Sequence, residues 1–259
     1  NTGVGTRALQ SNTTGTQQVA VGGLALDANT TGNYNQAFGY GALTSNTTAN
    51  YNTALGYFAL QNNTTGSTNT GLGRSSLAAN TTGSGNVAVG EIALFSNTTG
   101  ENNVAVGANA LDAVTTGNRH TAVGNQCLTA ATTGEHNCGL GFQAGLAVTT
   151  GNSNIVVGVE AGREITEGSN NICIGTDSGR SNAPSGTIST SSNNICLGNN
   201  SINNLFCADT SISSSDSRDK TDIVDFTKGL DWIKALRPVT YRWDRRTWYG
   251  TDAEPYGTP

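Results

Sequence analysis

The sequence contains few residues of the types that catalyse reactions or bind metals. Its cysteines include no CxxC pair, so neither a zinc site nor a disulfide framework is indicated. They are Cys127, Cys138, Cys173, Cys196 and Cys207. The two histidines, His120 and His136, are too few for a metal or catalytic cluster unless three chains around an axis each supply the same one. We expect no metal and no cofactor, and we interpret the cysteines as small apolar residues.

Carboxylates are equally sparse in most of the chain. Glu91, Glu101 and Glu160 stand singly, far from one another in sequence. Enzymes that hydrolyse polysaccharides place two carboxylates on either side of the bond that they cleave. We therefore expect no activity on other molecules.

Tyrosines recur at matching positions. Tyr34 and Tyr51 are separated by 17 residues, and so are Tyr40 and Tyr57. Exposed aromatic rings combine an apolar body with a polar tip and can stack on sugars, so these four tyrosines are candidate glycan contacts. Plain packing of one ring on the next explains the same spacing, and both interpretations stay open.

The composition indicates an ordered but unusual protein. Hydrophobic residues make up 35% and charged residues 12%, with 34 glycines, which is unlike a typical globular domain. Disordered chains usually combine high charge with few β-branched residues, the opposite of this sequence. A net charge of -5 argues against a nucleic-acid partner, and the absence of long apolar runs argues against membrane insertion. Because the sequence begins without Met and directly with a repeat, we expect a missing N-terminal region.

A glycine at fixed spacing defines a repeat. It recurs every 17 residues from Gly5 to Gly175, and the next copy, Gly198, comes 6 residues late because residues 185–192 expand one loop. Short units at fixed spacing are typical of solenoids, in which each coil buries its apolar side chains against its neighbours. The sequence therefore predicts an all-β fold, a parallel β-solenoid (β-roll) of 17-residue coils over residues 1–201. At about 4.8 Å per coil, this shaft would be roughly 50 to 60 Å long.

Two columns of large apolar residues run through the repeat, whose positions we number 1 to 17 from the first asparagine, as from Asn86 to Asn102. Position 4 is always large and apolar, and position 9 is leucine in the first eight copies. We predict that both columns form the core, each buried side chain contributing about 1.5 to 3 kcal/mol. The position 4 residues are Val21, Phe38, Leu55, Leu72, Val89, Val106, Val123, Leu140, Val157, Ile174 and Leu197, and those at position 9 are Leu9, Leu26, Leu43, Leu60, Leu77, Leu94, Leu111 and Leu128.

Position 3 carries small residues and, by the alternation of a strand, faces away from position 4. We predict that another chain packs closely against this stripe in a homotrimer. The alternative is the inner wall of a single-chain coil. The stripe consists of Ala20, Ala37, Ala54, Gly71, Ala88, Ala105, Ala122, Gly139, Cys173 and Cys196.

The NTTG segments, such as residues 97–100, predict corners, where Gly permits a positive φ and Asn and Thr stack in ladders. Ala49 replaces that glycine once, which indicates either strain or a position that needs no positive φ. From Asn137 onward, Gly145 and Gly162 replace the leucine of position 9, which predicts a change in the coil cross-section. The pattern NxAxGxxA over residues 1–201 resembles the head repeats of trimeric autotransporter adhesins, which are left-handed parallel β-rolls.

The repeat stops after Asn203, and we predict a linker strand over 202–214 and an α+β segment over 215–259. Residues 226–236 have helical apolar spacing, and residues 238–243, PVTYRW, favour a strand. The order SDSRDKTDI, helix, LRPVTYRW closely resembles the start of the intramolecular chaperone domain at the C-terminus of endosialidase-type phage tail spikes and fibres.

That resemblance implies trimerisation and self-cleavage by a serine–lysine dyad. Ser215 would attack the carbonyl of Ser214, and Lys220 would be the general base, a role that lysine can take when burial lowers its pKa. Asp216 and Arg218 match the motif as support for the loop, whereas Asp219 occupies a position that is usually apolar in the family. The enzymatic expectation is at most autoproteolysis in cis.

Together these features predict a structural and receptor-binding segment of a phage tail fibre, made in the host cytoplasm and located in the virion. Its expected partners are two copies of itself, a host cell-surface glycan or protein, and the baseplate or tail through the missing N-terminal region. The alternative is a trimeric adhesin on a bacterial surface, against which residues 213–243 argue. An ice-binding solenoid is a third interpretation, based on the threonine ladders.

Overall fold

In the computed structural model, which describes residues 1–204, the chain forms a parallel β-solenoid with one short strand per coil. All twelve strands belong to one sheet, and each pairs with the next in sequence order. The described residues contain no helix, and thus none that could cross a membrane. The strands are β1 Thr2–Val4, β2 Val19–Val21, β3 Gln36–Phe38, β4 Thr53–Leu55, β5 Thr70–Leu72, β6 Val87–Val89, β7 Val104–Val106, β8 Thr121–Val123, β9 Cys138–Leu140, β10 Ile155–Val157, β11 Ile172–Ile174 and β12 Ile195–Leu197.

The register of the sheet equals the sequence repeat. Ala88 in β6 lies opposite Ala105 in β7, one unit later, and the same offset joins the strands from β1 to β11. Cys173 in β11 pairs with Cys196 in β12 across the expanded loop. The predicted parallel β-solenoid of 17-residue coils is therefore confirmed.

The core contradicts the predicted direction of the side chains. Ala20 and Ala88 at position 3 are fully buried, whereas Val4 and Leu55 at position 4 are 57% and 53% exposed. A Cβ added to Gly71 would lie 3.3 Å from Leu60 Cγ, so the leucine of the preceding coil leaves room only for a small side chain at position 3. The predictions that position 4 forms the core and that position 3 contacts another chain are both wrong. Position 3 is the inner wall of the coil.

Glycine has two different roles in the coil. At position 5, Gly90 has a φ of +137°, and an added Cβ would lie 2.6 Å from the carbonyl oxygen of Gly107 in the next coil. At the NTTG corner, by contrast, Gly83 has no positive φ, and an added Cβ would lie 2.6 Å from Asn80 Oδ1. The prediction of a positive φ at this corner is wrong, and Ala49, which replaces the glycine once, has no positive φ either.

The predicted change of cross-section is a change in how the core is filled. Gly145, Gly162 and Gly179 replace the leucine of position 9 and keep its positive φ. In the same coils position 12, an asparagine in the earlier part of the chain, becomes the buried Val148, Ile165 and Ile188. A Cβ on Gly162 would lie 2.9 Å from Ile165 Cδ1 and closer still to Val156 Cγ1, which shows that these two side chains occupy the space of the missing leucine.

Candidate functional surface

The outward face of the sheet is formed by positions 2 and 4 of every strand. None of these side chains is fully buried, and the most exposed include Leu140 (50%) and Ile195 (71%). Position 4 is apolar in all twelve strands, and position 2 is valine, threonine, glutamine, cysteine or isoleucine. Large apolar side chains in one continuous stripe usually mark an interaction site in a soluble protein. Sequence reasoning missed this surface, although the threonines at position 2 were a signal that this side faces outward.

The four tyrosines form two stacked pairs beside β3 and β4. The Tyr34 and Tyr51 rings are parallel within 8°, with centroids 4.8 Å apart. The Tyr40 and Tyr57 rings are 5.8 Å apart at 16°, and Phe58 packs against Tyr57 at a tilt, with centroids 4.1 Å apart. All four tyrosines are exposed, but each ring covers one face of its partner. The structure thus confirms the pairing.

Two ladders of buried asparagines hold the corners together. At position 12, Asn80 Nδ2 donates to Asn63 Oδ1 at 2.8 Å and also to the carbonyl of Gly83. At position 1, the backbone N–H of Asn103 donates to Asn86 Oδ1 at 3.0 Å. These bonds satisfy amide groups that would be costly to bury alone. The predicted asparagine ladders are therefore present, and their role is structural.

The position 12 ladder ends at Asn97. In the next coil Val114 takes the place of the asparagine, and Asn97 Oδ1 has no hydrogen-bond partner. The change from a polar to an apolar column therefore precedes the first glycine at position 9 by two coils, with Ala131 between them. Along the chain, position 12 becomes apolar first, and the leucine of position 9 is replaced by glycine two coils later.

His120 occupies the place of an asparagine in the position 1 ladder. Its backbone N–H donates to Asn103 Oδ1 at 2.9 Å, and its Nδ1 accepts the N–H of Asn137 at 3.3 Å. Burial lowers the pKa of His120. The carbonyl of Gly134 and the charge of Glu135 favour the protonated ring, but the effect of burial is larger. His120 Nε2 has no hydrogen bond of normal geometry. This histidine is a neutral structural substitute for asparagine.

Three of the cysteines confirm the prediction of small apolar residues. Cys127, Cys173 and Cys196 are buried, and burial raises the pKa of Cys127 and of Cys173 to about 12, which suppresses the reactive thiolate. Cys138 differs because it lies at position 2 of β9, on the outward face, and is only half-buried. Residues 1–204 contain no group of three histidine, cysteine or acidic side chains suited to a metal ion.

Charged residues fix the expanded loop. Arg180 pairs with Glu160, Glu164 and Asp177. Glu164 also accepts the N–H of Ser181 at 3.2 Å and the hydroxyl of Thr187 at 3.0 Å. Burial opposes its charge, but the hydrogen bonds from Thr187, Ser181 and Arg180 prevail and lower the pKa of Glu164. One carboxylate thus anchors the chain at Ser181, which is 17 residues after Glu164, and at Thr187, which is 23 residues after it, so the offset grows by six residues between these two contacts.

The predicted cleavage machinery lies outside the described residues. Ser214, Ser215, Asp216, Arg218 and Lys220 all follow residue 204, and so does Cys207. Their roles therefore stay predictions. The same holds for the linker strand and for the α+β segment.

Comparison with known proteins gives one match. Residues 215–257 match the family model described as chaperone of endosialidase, which confirms the resemblance stated for this segment. No match was found among curated proteins or among solved structures. The chain therefore joins a β-solenoid to a C-terminal segment similar to the endosialidase chaperone.

Proposed function

We propose that this chain is part of a phage tail fibre or tail spike, a trimeric rod whose C-terminal segment acts as an intramolecular chaperone. The observation that carries the proposal is the match of residues 215–257, which begins shortly after the last strand of the solenoid, β12. A solenoid with one short strand per coil supplies a stiff spacer, and a chaperone at its end would set the register of three chains. A bacterial adhesin would share the shaft but would not need this segment.

Self-cleavage is the chemistry that this function would include. The Ser215 hydroxyl would add to the carbonyl carbon of Ser214 while Lys220 takes its proton. Collapse of the adduct would break the C–N bond, pass the proton to the amine of Ser215, and leave an ester. One water would then hydrolyse the ester, giving a new carboxylate on Ser214 and restoring the Ser215 hydroxyl. Asp216 and Arg218 would hold the loop in the geometry for attack.

The fibre would act in the virion, with a host glycan or protein as receptor and the tail or baseplate as attachment. Tyr34, Tyr40, Tyr51 and Tyr57 are the proposed glycan contacts, supported by their exposure next to β3 and β4. Since each pair is stacked, a sugar would meet the outer face of a pair or the ring edges and hydroxyls.

The intact mass of the protein expressed from its complete gene tests the self-cleavage and the chaperone together. The parent is expected to lose everything from Ser215 onward, and Ser215→Ala is expected to keep its full mass. Ser217→Ala is the matched control and should still cleave. A parent of full mass would refute self-cleavage. Cleavage that persists in Ser215→Ala would refute the assigned nucleophile.

A further inference from the structure

The outward face of the sheet carries an unbroken apolar column, position 4, over the whole described shaft. Positions 2 and 4 carry no charged residue in any of the twelve strands. The asparagine ladders and the ion pairs lie on the other sides of the coil, so this face differs from them. A stripe of about 10 Å by 55 Å follows from three-residue strands and twelve coils. Within residues 1–204 of one chain, no segment covers this face.

The apolar character increases toward the C-terminal end of the sheet. In β3, β4, β5 and β8, position 2 is glutamine or threonine. In β10, β11 and β12 both outward positions are large and aliphatic, and they are preceded by Cys138 and Leu140 in β9. Of these, Ile155, Ile174 and Leu197 are each more than two-fifths exposed. The end of the shaft nearest in sequence to the chaperone-like segment therefore exposes the most apolar surface.

We propose that two further copies of this chain cover this outward face, in register, and that the contact is strongest along β9–β12. A partner must be apolar over the same length and must repeat at the spacing of the coils, about 4.8 Å. A second copy meets both conditions by construction, and around a threefold axis each chain presents this face to the axis and meets its two neighbours through the two edges of the face. The stripe is also of the order of the ~800 Å² that each partner buries in a stable interface.

This inference rests on the proposed trimeric fibre and adds the face through which the chains meet. The outward face takes the place of position 3 as the proposed contact between chains, because the small residues of position 3 are buried inside each coil. Three stripes facing one axis would bury side chains such as Ile155 and Ile174 against their copies.

Cys138 is a native probe for this arrangement. It lies on the outward face of β9, in register with Thr121 and Ile155, and it is the one cysteine of residues 1–204 that is not buried. Three copies of the face around an axis would bring the three Cys138 thiols together. Oxidation of the native protein with copper phenanthroline should then link chains in pairs through Cys138, leaving one unpaired chain per trimer.

The experiment uses the full chain carrying Cys207→Ala, so that only Cys138 can report. The negative control adds Cys138→Ser. The position control carries Cys138→Ser and also Thr133→Cys, which places a thiol at an exposed corner of the preceding coil. Covalent dimers are read on a denaturing gel without reductant, and sedimentation equilibrium gives the native mass in parallel. We expect a trimer in all three proteins, with covalent dimers through Cys138 and none through the thiol introduced in the position control.

The outcomes separate this inference from the proposed function. A trimer without dimers through Cys138, or with equal dimers in the Thr133→Cys protein, would overturn the assigned face and leave the trimeric fibre standing. A monomeric parent would overturn the trimeric fibre and the interface together. As a second measurement, Ile155→Lys with Ile174→Lys should abolish the Cys138 dimers while the far-ultraviolet circular dichroism stays unchanged. Persistence of the dimers would also contradict the proposal.

Discussion

Ile165 and Val156 together fill the space that a leucine at position 162 would need. Gly162 has a φ of +59°, close to the +51° of Leu128 two coils earlier, so the backbone conformation is shared and only the packing differs. A Cβ on Gly162 would lie 2.9 Å from Ile165 Cδ1 and closer still to Val156 Cγ1. In this coil the core is therefore filled from positions 3 and 12 instead of position 9.

Restoring the leucine at this position should destabilise the coil, and reducing the isoleucine should relieve part of that cost while Val156 still crowds the site. We expect Gly162→Leu alone to cost about 2 to 5 kcal/mol through overpacking and the left-handed backbone. Ile165→Ala alone should cost about 2 to 5 kcal/mol by leaving a cavity. The double variant should lose less than the sum, by about 0.5 to 3 kcal/mol. Urea unfolding of the four proteins measures this coupling, and additive losses would show that the side chains do not share the space.

His120 should make the solenoid sensitive to mild acid. Its pKa is lowered in the folded protein, so the folded chain disfavours the charged ring. The unfolded chain takes up the proton near pH 6.5, and stability is therefore full above that pH and falls as the pH drops toward the folded pKa. A proton on Nδ1 would also face the N–H of Asn137, which now donates to it.

The variant His120→Asn should remove part of this acid sensitivity. An asparagine would restore the ladder found in the neighbouring coils, so the loss of stability between pH 7 and pH 5 should be smaller than in the parent. His136→Asn is the control because His136 lies on the surface of the same region. Thermal unfolding at a series of pH values gives the comparison. An equal loss in parent and His120→Asn would exclude His120 as the titrating group.

Sequence reasoning predicted the period, the strand positions and the register, because the glycine of position 5 is required once in every coil. Gly90, for instance, needs both its positive φ and its missing side chain. Sequence reasoning did not predict correctly which side of the strand faces the core. Small residues at position 3 and large ones at position 4 fit either direction, and the decision depends on Leu60 and its equivalents, which reach across the thin coil to the strand. That contact is tertiary and leaves no local signal at Ala88 or Val89.

Glu164 should hold the inserted segment of the last coil in place. Replacing it by glutamine removes the charge that pairs with Arg180 and weakens the bonds from Ser181 and Thr187. We expect a local loss of about 1 kcal/mol or somewhat more, since the bonds involve a charged acceptor. Hydrogen exchange of residues 181–187 should be faster in Glu164→Gln. Glu167→Gln, at an exposed corner of the same coil, should leave exchange unchanged. Equal protection in both variants would refute the anchor.

The glycine of position 5 should be the least replaceable residue of the repeat. In Gly90→Ala the new Cβ would meet the carbonyl of Gly107 at 2.6 Å, and the φ of +137° is strained for any L-residue. The obstacle is the backbone of the next coil, and neither coil can move away without breaking the hydrogen bonds between the strands. We therefore expect a cost of at least ~3 kcal/mol. Gly186→Ala is the matched control, with a φ of +64° but no atom within 4 Å of the new Cβ. Its cost should stay near ~1 to 2 kcal/mol, that of the backbone conformation alone. Denaturant midpoints compare the two, and equal losses would mean that strain in φ, not the close approach of coils, explains the repeated glycine.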